Sequence, residues 1–459
     1  MAVCLCRQPF FYPLHTQHME THMQHHNANA DVLPARRGLA RQDSKVLALA
    51  SLGGALEFYD FMIFALMAPI LSQLFFPTSL GDGWALFYTY AIFATGYFMR
   101  PVGGLVMAHL GDRLGRKRMF TWSLLLMALP TLAMGLLPTY AQIGLAAPLL
   151  LLLCRMVQAV AIGGEVPAAW TYVSEQVPVN QVGLANGLLT AGLSVGILLG
   201  SLSVLALQAA FSTEVVNAGA WRLPFVLGGV LGLLAVWMRK HLQETPIFMA
   251  IKQRRLLYQG LPLAEVWRSH KTLLLIGMGI NWFLLASVAV VLLAMPKLLQ
   301  QQLGMSALQA TTWQVCGIAL QATGCIGFGY LADKRGISRS TWVGAGLMVV
   351  AATVFYFGMQ TLPVGVLAGA YGVMAVCAGS GASLGKMVVR FPAPIRLSGM
   401  AATYNVSSAL LGGLSLPLVA WLGQRFSWGA WLYLSLLCVM FALLGCWYAK
   451  RFEAACKQR

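Results

Sequence analysis

Charge is what this chain lacks. Only 10% of its 459 residues are charged and Asp plus Glu number 14, against about 25% charged in soluble globular domains. A conventional water-soluble domain is excluded, because 58% hydrophobic residues and 47 glycines leave too little polar surface to solvate one. A disulfide framework is missing as well. Of nine cysteines, Cys154, Cys316, Cys325, Cys377, Cys438 and Cys446 fall inside apolar runs, where packing is the expected role. Neither a nucleophile-and-base motif, nor a phosphate loop after a strand, nor metal-ligand spacing occurs within those runs, so the sequence does not read as an enzyme and calls for no cofactor.

Long apolar runs are what it has. Crossing about 30 Å of hydrocarbon takes roughly 20 residues, and twelve runs qualify, at about 47–75, 84–110, 119–138, 144–173, 183–210, 220–240, 271–297, 307–332, 340–360, 363–386, 397–423 and 428–450. After the second run stands Gly103-Gly-Leu-Val-Met-Ala-His-Leu-Gly-Asp-Arg-Leu-Gly-Arg-Lys-Arg118, and a degenerate copy occupies residues 324–339 after the eighth. Aligning Asp112 with Asp333 also matches Gly115 with Gly336 and Arg118 with Arg339. The expected fold is therefore an all-α membrane protein, twelve transmembrane helices in two pseudo-symmetric six-helix bundles. The expected domains are a disordered tail over 1–45, bundles over 46–240 and 271–450, a linker over 241–270 and a short tail over 451–459.

The net charge of +17 does not point to nucleic acid, because the 31 Lys and Arg alternate between sides of the membrane. Arg36, Arg37, Arg41, Lys45, Arg113 to Arg118, Arg239 to Lys271, Lys334 to Arg339, Arg390, Arg396 and the C-terminal tail collect on one side; Arg222, Lys297 and Arg425 fall on the other. Such asymmetry predicts a cytoplasmic location for the basic face and for both termini, in a cell inner membrane. His15, His18, His22, His25 and His26 lie in the polar tail, where a disordered segment is favoured over a metal site. Met19 and Met23 offer alternative starts.

Ionisable groups within hydrocarbon are costly and mark functional sites. Only Glu57, Asp60 and Glu165 fall well inside the runs; at 1.5 Å per residue, Glu57 lies about 18 Å above Lys45 and Glu165 about 15 Å above Glu175. Glu57 and Asp60, three residues apart, share a helix face, where one of two like charges is expected to take up a proton. Arg155, Gln158 and Glu165 form one broad stripe offering a cation, an amide and an acid. Arg155 suits a substrate carboxylate, or equally a permanent counter-ion for Glu57 or Asp60. The three acids are the expected proton-coupling residues.

The order of several short motifs resembles the major facilitator superfamily, and within it the metabolite:proton symporters that include proline/betaine, shikimate, citrate and 2-oxoglutarate carriers. These are Glu57-Phe-Tyr-Asp-Phe61, Arg100-Pro-Val-Gly-Gly104, Arg155-Met-Val-Gln158 with Gly163-Gly-Glu165, Trp221-Arg-Leu-Pro-Phe225, Glu244-Thr-Pro-Ile-Phe248, and Ser398-Gly399 with Tyr404-Asn405. The resemblance implies proton-coupled uptake of a small organic acid, betaine or amino acid by alternating access, with the proton as coupling ion. It implies a gate at Gly111, Asp112, Arg113, Gly115 and Arg116, with Asp333 and Lys334 as the second copy. Substrate contacts are expected from Arg155, Gln158, Tyr59, Tyr404 and Asn405. The partners are the substrate and the lipid bilayer, and the expected state is a monomer. Two alternatives remain. Gly192, Gly196 and Gly200 resemble the glycine repeat of exporters but suit close helix packing equally, and a receptor without transport would keep the same fold. Pro296-Lys297-Leu298 and Val389-Arg390-Phe391-Pro392 depart from the family pattern; Lys297 and Lys386 could supply positive charge to the pathway, but snorkelling at the interface is favoured for both.

Overall fold

The computed structural model describes residues 40–258, 260–426 and 428–453, and among these it holds twelve helices long and apolar enough to cross a membrane. The first half comprises α1 (Arg41–Phe75), α2 (Asp82–Leu114), α3 (Arg116–Leu136), α4 (Ala146–Gln176), α5 (Val182–Ala210) and α6 (Arg222–Arg239). The second comprises α7 (Lys271–Val288, resuming as Met295–Leu303), α8 (Ala307–Arg335), α9 (Ile337–Gly358), α10 (Val364–Ala378), α11 (Arg396–Ser407, resuming as Gly413–Arg425) and α12 (Gly429–Tyr448). Each expected run is thus a helix or a helix with one interruption. Many large apolar side chains, among them Phe98, Leu149, Val350 and Leu443, are exposed on the outside, as lipid-facing positions must be.

Three boundaries differ from expectation. Helix α1 starts at Arg41 because Asp43 accepts the Ala40 amide at 2.8 Å and so satisfies a helix-end donor; residues 41–45 therefore belong to the helix rather than to a tail. The histidine-rich stretch lies outside the described residues. The 241–270 linker carries two short helices, Pro246–Gln253 and Pro262–Ser269, the first capped by Thr245 Oγ1 accepting from Phe248 N at 3.2 Å. Finally, the last helix continues through a wide turn to Glu453.

The interruptions have local causes. Pro296 has no N–H for the Leu292 carbonyl, so α7 opens into a wide turn over Ala289–Leu293 and Gln314 Nε2 takes that carbonyl at 3.1 Å. The glycine-rich end of α10 tightens into a 3₁₀ stretch over Gly379–Arg390, letting Gly381 abut Leu284 and Gly385 abut Asn186. Helix α11 widens over Ser408–Gly412.

Small residues set the seams. The bundles meet along α5 with α8 and α2 with α11; Gly183 and Gly187 face Gly329 and Cys325 at the first, and Gly104 and Gly111 face Asn405 and Leu397 at the second. Within the first bundle, Gly192, Gly196 and Gly200 press α5 onto Ser51, Ala55 and Tyr59 of α1, which is a packing role.

Candidate functional site

Helices α2 and α4 touch backbone to backbone where Gly163 abuts Arg100 and Gly104, and this closeness brings two arginines to one cavity. Its lining includes Phe61, Phe93, Arg100, Arg155 and Ile162. It offers about 10 Å³ to the centre of a water-sized sphere, which is room for about one water. Arg155 Nη1 lies 3.2 Å from Asp60 Oδ2 and donates to Gln158 Oε1 at 2.9 Å. Gln158 Nε2 donates to Thr131 Oγ1 at 2.8 Å, and Thr131 donates to Asp60 Oδ1 at 2.9 Å. Asp60, Arg155, Gln158 and Thr131 thus close a ring from α1, α3 and α4. The Arg155 guanidinium also lies 4.3 Å from the Phe64 ring centre and 5.2 Å from that of Phe93, within cation–π range.

Glu57 is held differently. It is fully buried, its nearest cation is Arg100 Nη2 at 3.6 Å, and among the described residues neither carboxylate oxygen receives a hydrogen bond. The two acids on one face of α1 therefore pair with two separate arginines. With all four groups ionised, the charges around the cavity cancel.

Glu165, the third expected coupling acid, stands apart from the Asp60 ring, further along α4. Arg239 Nη2 lies 2.5 Å from its Oε1, Arg239 Nη1 3.2 Å from its Oε2, and Ser123 Oγ donates to Oε2 at 2.5 Å. Arg239 also donates to the Phe120 carbonyl at 2.5 Å and stacks 3.5 Å over the Phe120 ring. This fork-on-fork pair satisfies both Glu165 oxygens and ties α4 to α3 and α6. Arg239, read from sequence as an anchoring charge on the basic face, is wholly buried.

At the basic end the bundles are sealed at two related corners. In the first, Asp112 accepts from Leu397 N at 3.4 Å and Ser398 N at 3.0 Å, the first-turn amides of α11, which attract an anion. Arg116 pairs with Asp112 at 3.0 Å, donates to the Ala393 carbonyl at 2.5 Å and faces Glu175 at 3.6 Å; Glu175 in turn pairs with Arg396 at 2.9 Å. In the second, Asp333 accepts from Gly183 N at 2.9 Å and Leu184 N at 2.7 Å, the first-turn amides of α5, and Lys386 Nζ lies 3.8 Å away. Gly115 and Gly336 turn each corner with φ of 120° and 88°, which glycine adopts freely. Glu244 and Glu453 occupy equivalent places, accepting from the Arg116 and Lys117 amides and from the Ile337 amide.

The remaining expected residues fall as follows. Gly111 lies in the α2–α11 seam against Leu397. Arg113 donates to the Gly260 carbonyl at 3.3 Å from an exposed position, and Lys334 covers the Tyr330 ring at 4.7 Å; the corner cations are Arg116 and Lys386 instead. The Tyr59 hydroxyl is committed to the Pro224 carbonyl at 3.0 Å on α6, away from the arginine cavity. Asn405 donates to the Gly163 carbonyl at 2.7 Å and Tyr404 meets Trp170 edge to face at 5.5 Å, so both stand in the seam between bundles. Arg100, Thr131, Ser123, Arg239, Glu175 and Arg396 were not expected among the site residues, and Lys386 was expected chiefly to snorkel. Their one shared signal is that most are polar groups within one or two turns of a motif already noted.

Buried ion pairs in one bundle, paired corners at one membrane face and a two-fold repeated six-helix plan define a membrane transport protein. A sequence profile of the Major Facilitator Superfamily matches residues 50–385, and the chain belongs to that family. It is 29% identical over 395 residues to the proline/betaine transporter of Salmonella typhimurium, covering 82% of this chain and 77% of that protein. It is equally 29% identical over 397 residues to the glycine betaine/proline/ectoine/pipecolic acid transporter OusA of Dickeya dadantii, with the same shares. Among solved structures, the proton:xylose symporter XylE bound to 6-bromo-6-deoxy-D-glucose aligns with a TM-score of 0.71 at 18% identity, over 89% of this chain and 95% of that one. The human organic anion transporter MFSD10 aligns with a TM-score of 0.64 at 16% identity, over 89% and 99%. The chain is a secondary transporter, not an enzyme.

Proposed function

We propose that this protein imports a small zwitterion of the betaine or proline type across the inner membrane, driven by protons, with its basic face and both termini in the cytoplasm. The names of its relatives support the substrate class, and the charge asymmetry of the loops supports the orientation. One observation carries the coupling: among the described residues Glu57 receives no hydrogen bond at either oxygen, and it is buried beside an arginine cavity whose charges cancel only while Glu57 is ionised.

Proton and substrate are linked by electrostatics. Protonating Glu57 leaves Arg100 and Arg155 against Asp60 alone, so the cavity carries one excess positive charge and favours a carboxylate. The substrate carboxylate takes the Arg155 fork, while its ammonium group faces the Asp60 oxygen that Arg155 releases. Asp60 keeps Thr131 as a donor throughout. When the corners at the basic face part and water reaches Glu57, loss of its proton returns the cavity to neutrality and weakens the hold on the substrate. Glu57 is then the proton carrier, and Asp60 with Arg155 the substrate switch; Glu165 acts as a brace.

Purified protein in liposomes, given labelled glycine betaine or proline and an imposed pH gradient, tests this directly. The wild type should accumulate substrate only with the exterior acidic. Glu57→Gln should lose accumulation yet keep exchange of labelled for unlabelled substrate. Accumulation by Glu57→Gln at the wild-type level removes Glu57 as the carrier, and wild-type uptake indifferent to the gradient removes proton coupling altogether.

A further inference from the structure

The two sealing corners share an aspartate on two first-turn amides, a turn glycine and a glutamate beside it, and differ in the other charges that face the aspartate. Aligning Asp112 with Asp333 sets Arg116 opposite Ile337. Aligning the Pro178 and Pro392 turns sets Glu175 opposite Val389 and Val182 opposite Arg396. The first corner therefore holds two acids and two arginines, and Asp112, Arg116, Glu175 and Arg396 are all buried. In the second corner the positions of both arginines and of the second acid are apolar.

Lys386 replaces them. It lies three residues before Val389 in the 3₁₀ stretch, where side chains at i and i+3 eclipse, so it occupies the same line one turn earlier. From there Nζ reaches the Asp333 carboxylate at 3.8 Å, the Asp333 carbonyl at 3.3 Å and the Ala332 carbonyl. A single lysine thus covers the last carbonyls of α8 and neutralises the aspartate that crosses to α5. Its side chain is 25% exposed, against 1% for Arg116; a wetted ion pair is held less firmly than a buried one.

We propose that Lys386 is the positioning residue that keeps Asp333 on the α5 amides, and that this one-lysine corner is the weaker latch, releasing before the Asp112 corner when the basic end opens. Release then starts at the α5–α8 seam and the α2–α11 seam follows. The place of this step in a transport cycle rests on the alternating-access reading above, but its test requires no transport.

First-turn amides have no acceptor inside their own helix, so hydrogen exchange at Gly183 and Leu184 reports the Asp333 latch, while exchange at Leu397 and Ser398 reports the Asp112 latch. Measured by mass spectrometry on the full-length protein in nanodiscs, the wild type should exchange faster at Gly183 and Leu184. Lys386→Met should speed those two amides a further tenfold or so, with Leu397 and Ser398 moving little, and Lys386→Arg should restore protection. Reinstating the missing charges with Ile337→Arg and Val389→Glu should slow Gly183 and Leu184 towards the other corner. Equal exchange at both corners in the wild type, or the reverse order, overturns the release sequence whether or not any variant folds. Unchanged exchange in a folded Lys386→Met variant overturns the role of the lysine. Either result leaves proton-driven uptake standing, because that reading is judged by accumulation in liposomes.

Discussion

The two bundles share a fold and divide their polar chemistry unequally. Inside the first, Glu57, Asp60, Arg100, Arg155, Glu165 and Arg239 are buried charges. Inside the second, away from the corner residues, the buried network among the described residues is neutral: Asn281 donates to Ser407 at 2.6 Å and to the Tyr404 carbonyl at 3.2 Å, and Tyr433 links Trp282 and Ser415 at 3.2 and 2.7 Å. Irregular backbone within a span follows the opposite pattern, falling in α7, α10 and α11. Charges in hydrocarbon must be held rigidly to be tolerable, whereas helices that bend are better lined with hydroxyls and amides that can exchange partners at small cost. On the alternating-access proposal, the first bundle holds charge and the second moves around it.

Breaking a charged pair in the first bundle should give the largest effect. Glu165→Gln leaves Arg239 buried without its carboxylate, and loss of one partner from such a pair costs about 3–5 kcal/mol; thermal unfolding of the purified protein should shift strongly downwards. The double substitution Glu165→Leu with Arg239→Met removes both charges at similar volume and should recover most of that loss. Recovery of stability together with uptake establishes a brace. Recovered stability without uptake returns Glu165 to the proton path expected from sequence.

Arg155→Lys should come next. Lysine keeps the charge but loses the planar fork that bonds Asp60 and Gln158 together, and misplacing a binding group by about 1 Å can cost a hundredfold in rate, or ~2.7 kcal/mol. Initial uptake should fall by about that factor with stability little altered. Undiminished uptake would show that Arg155 is a counter-ion for Asp60 and nothing more.

The sequence made the architecture legible because hydropathy and the duplicated Asp112 and Asp333 motif are one-dimensional signals. The acids were legible for the same reason, since Glu57, Asp60 and Glu165 interrupt apolar runs. Of their partners only Arg155 was legible, as a counter-ion for Glu57 or Asp60, and it lies against Asp60; the others were hidden because a helix contact leaves no mark in spacing. Arg239 ends a span and reads as an anchor, although Gly53 on α1 leaves the room in which it meets Glu165. Thr131 and Ser123 are ordinary polar residues in an apolar helix until α3 is packed against α1 and α4. Lys386 reads as a snorkelling lysine because the 3₁₀ winding that aligns it with Val389 and aims it at Asp333 depends on glycines whose neighbours come from α5 and α7. Glu57 and Asp60 share the face that their three-residue spacing specifies, and what the spacing leaves unmarked is that Arg100 and Arg155 stand beside them, one on each of two other helices.

The smallest effect should come from the neutral network, and it tests the comparison most sharply. Tyr433→Phe deletes one hydroxyl, yet Trp282 Nε1 still reaches Ser415 Oγ at 3.3 Å, and Ser415 still donates to the Leu411 carbonyl at 2.8 Å. No buried polar group is stranded, so the cost should be that of an average hydrogen bond between membrane helices, about 0.6 kcal/mol. Unfolding should shift barely and uptake should stay near the wild-type level. A large loss of uptake in this variant, with unfolding unchanged, would mean that the second bundle grips the substrate through Tyr433, and the division between a holding bundle and a moving one would have to be abandoned.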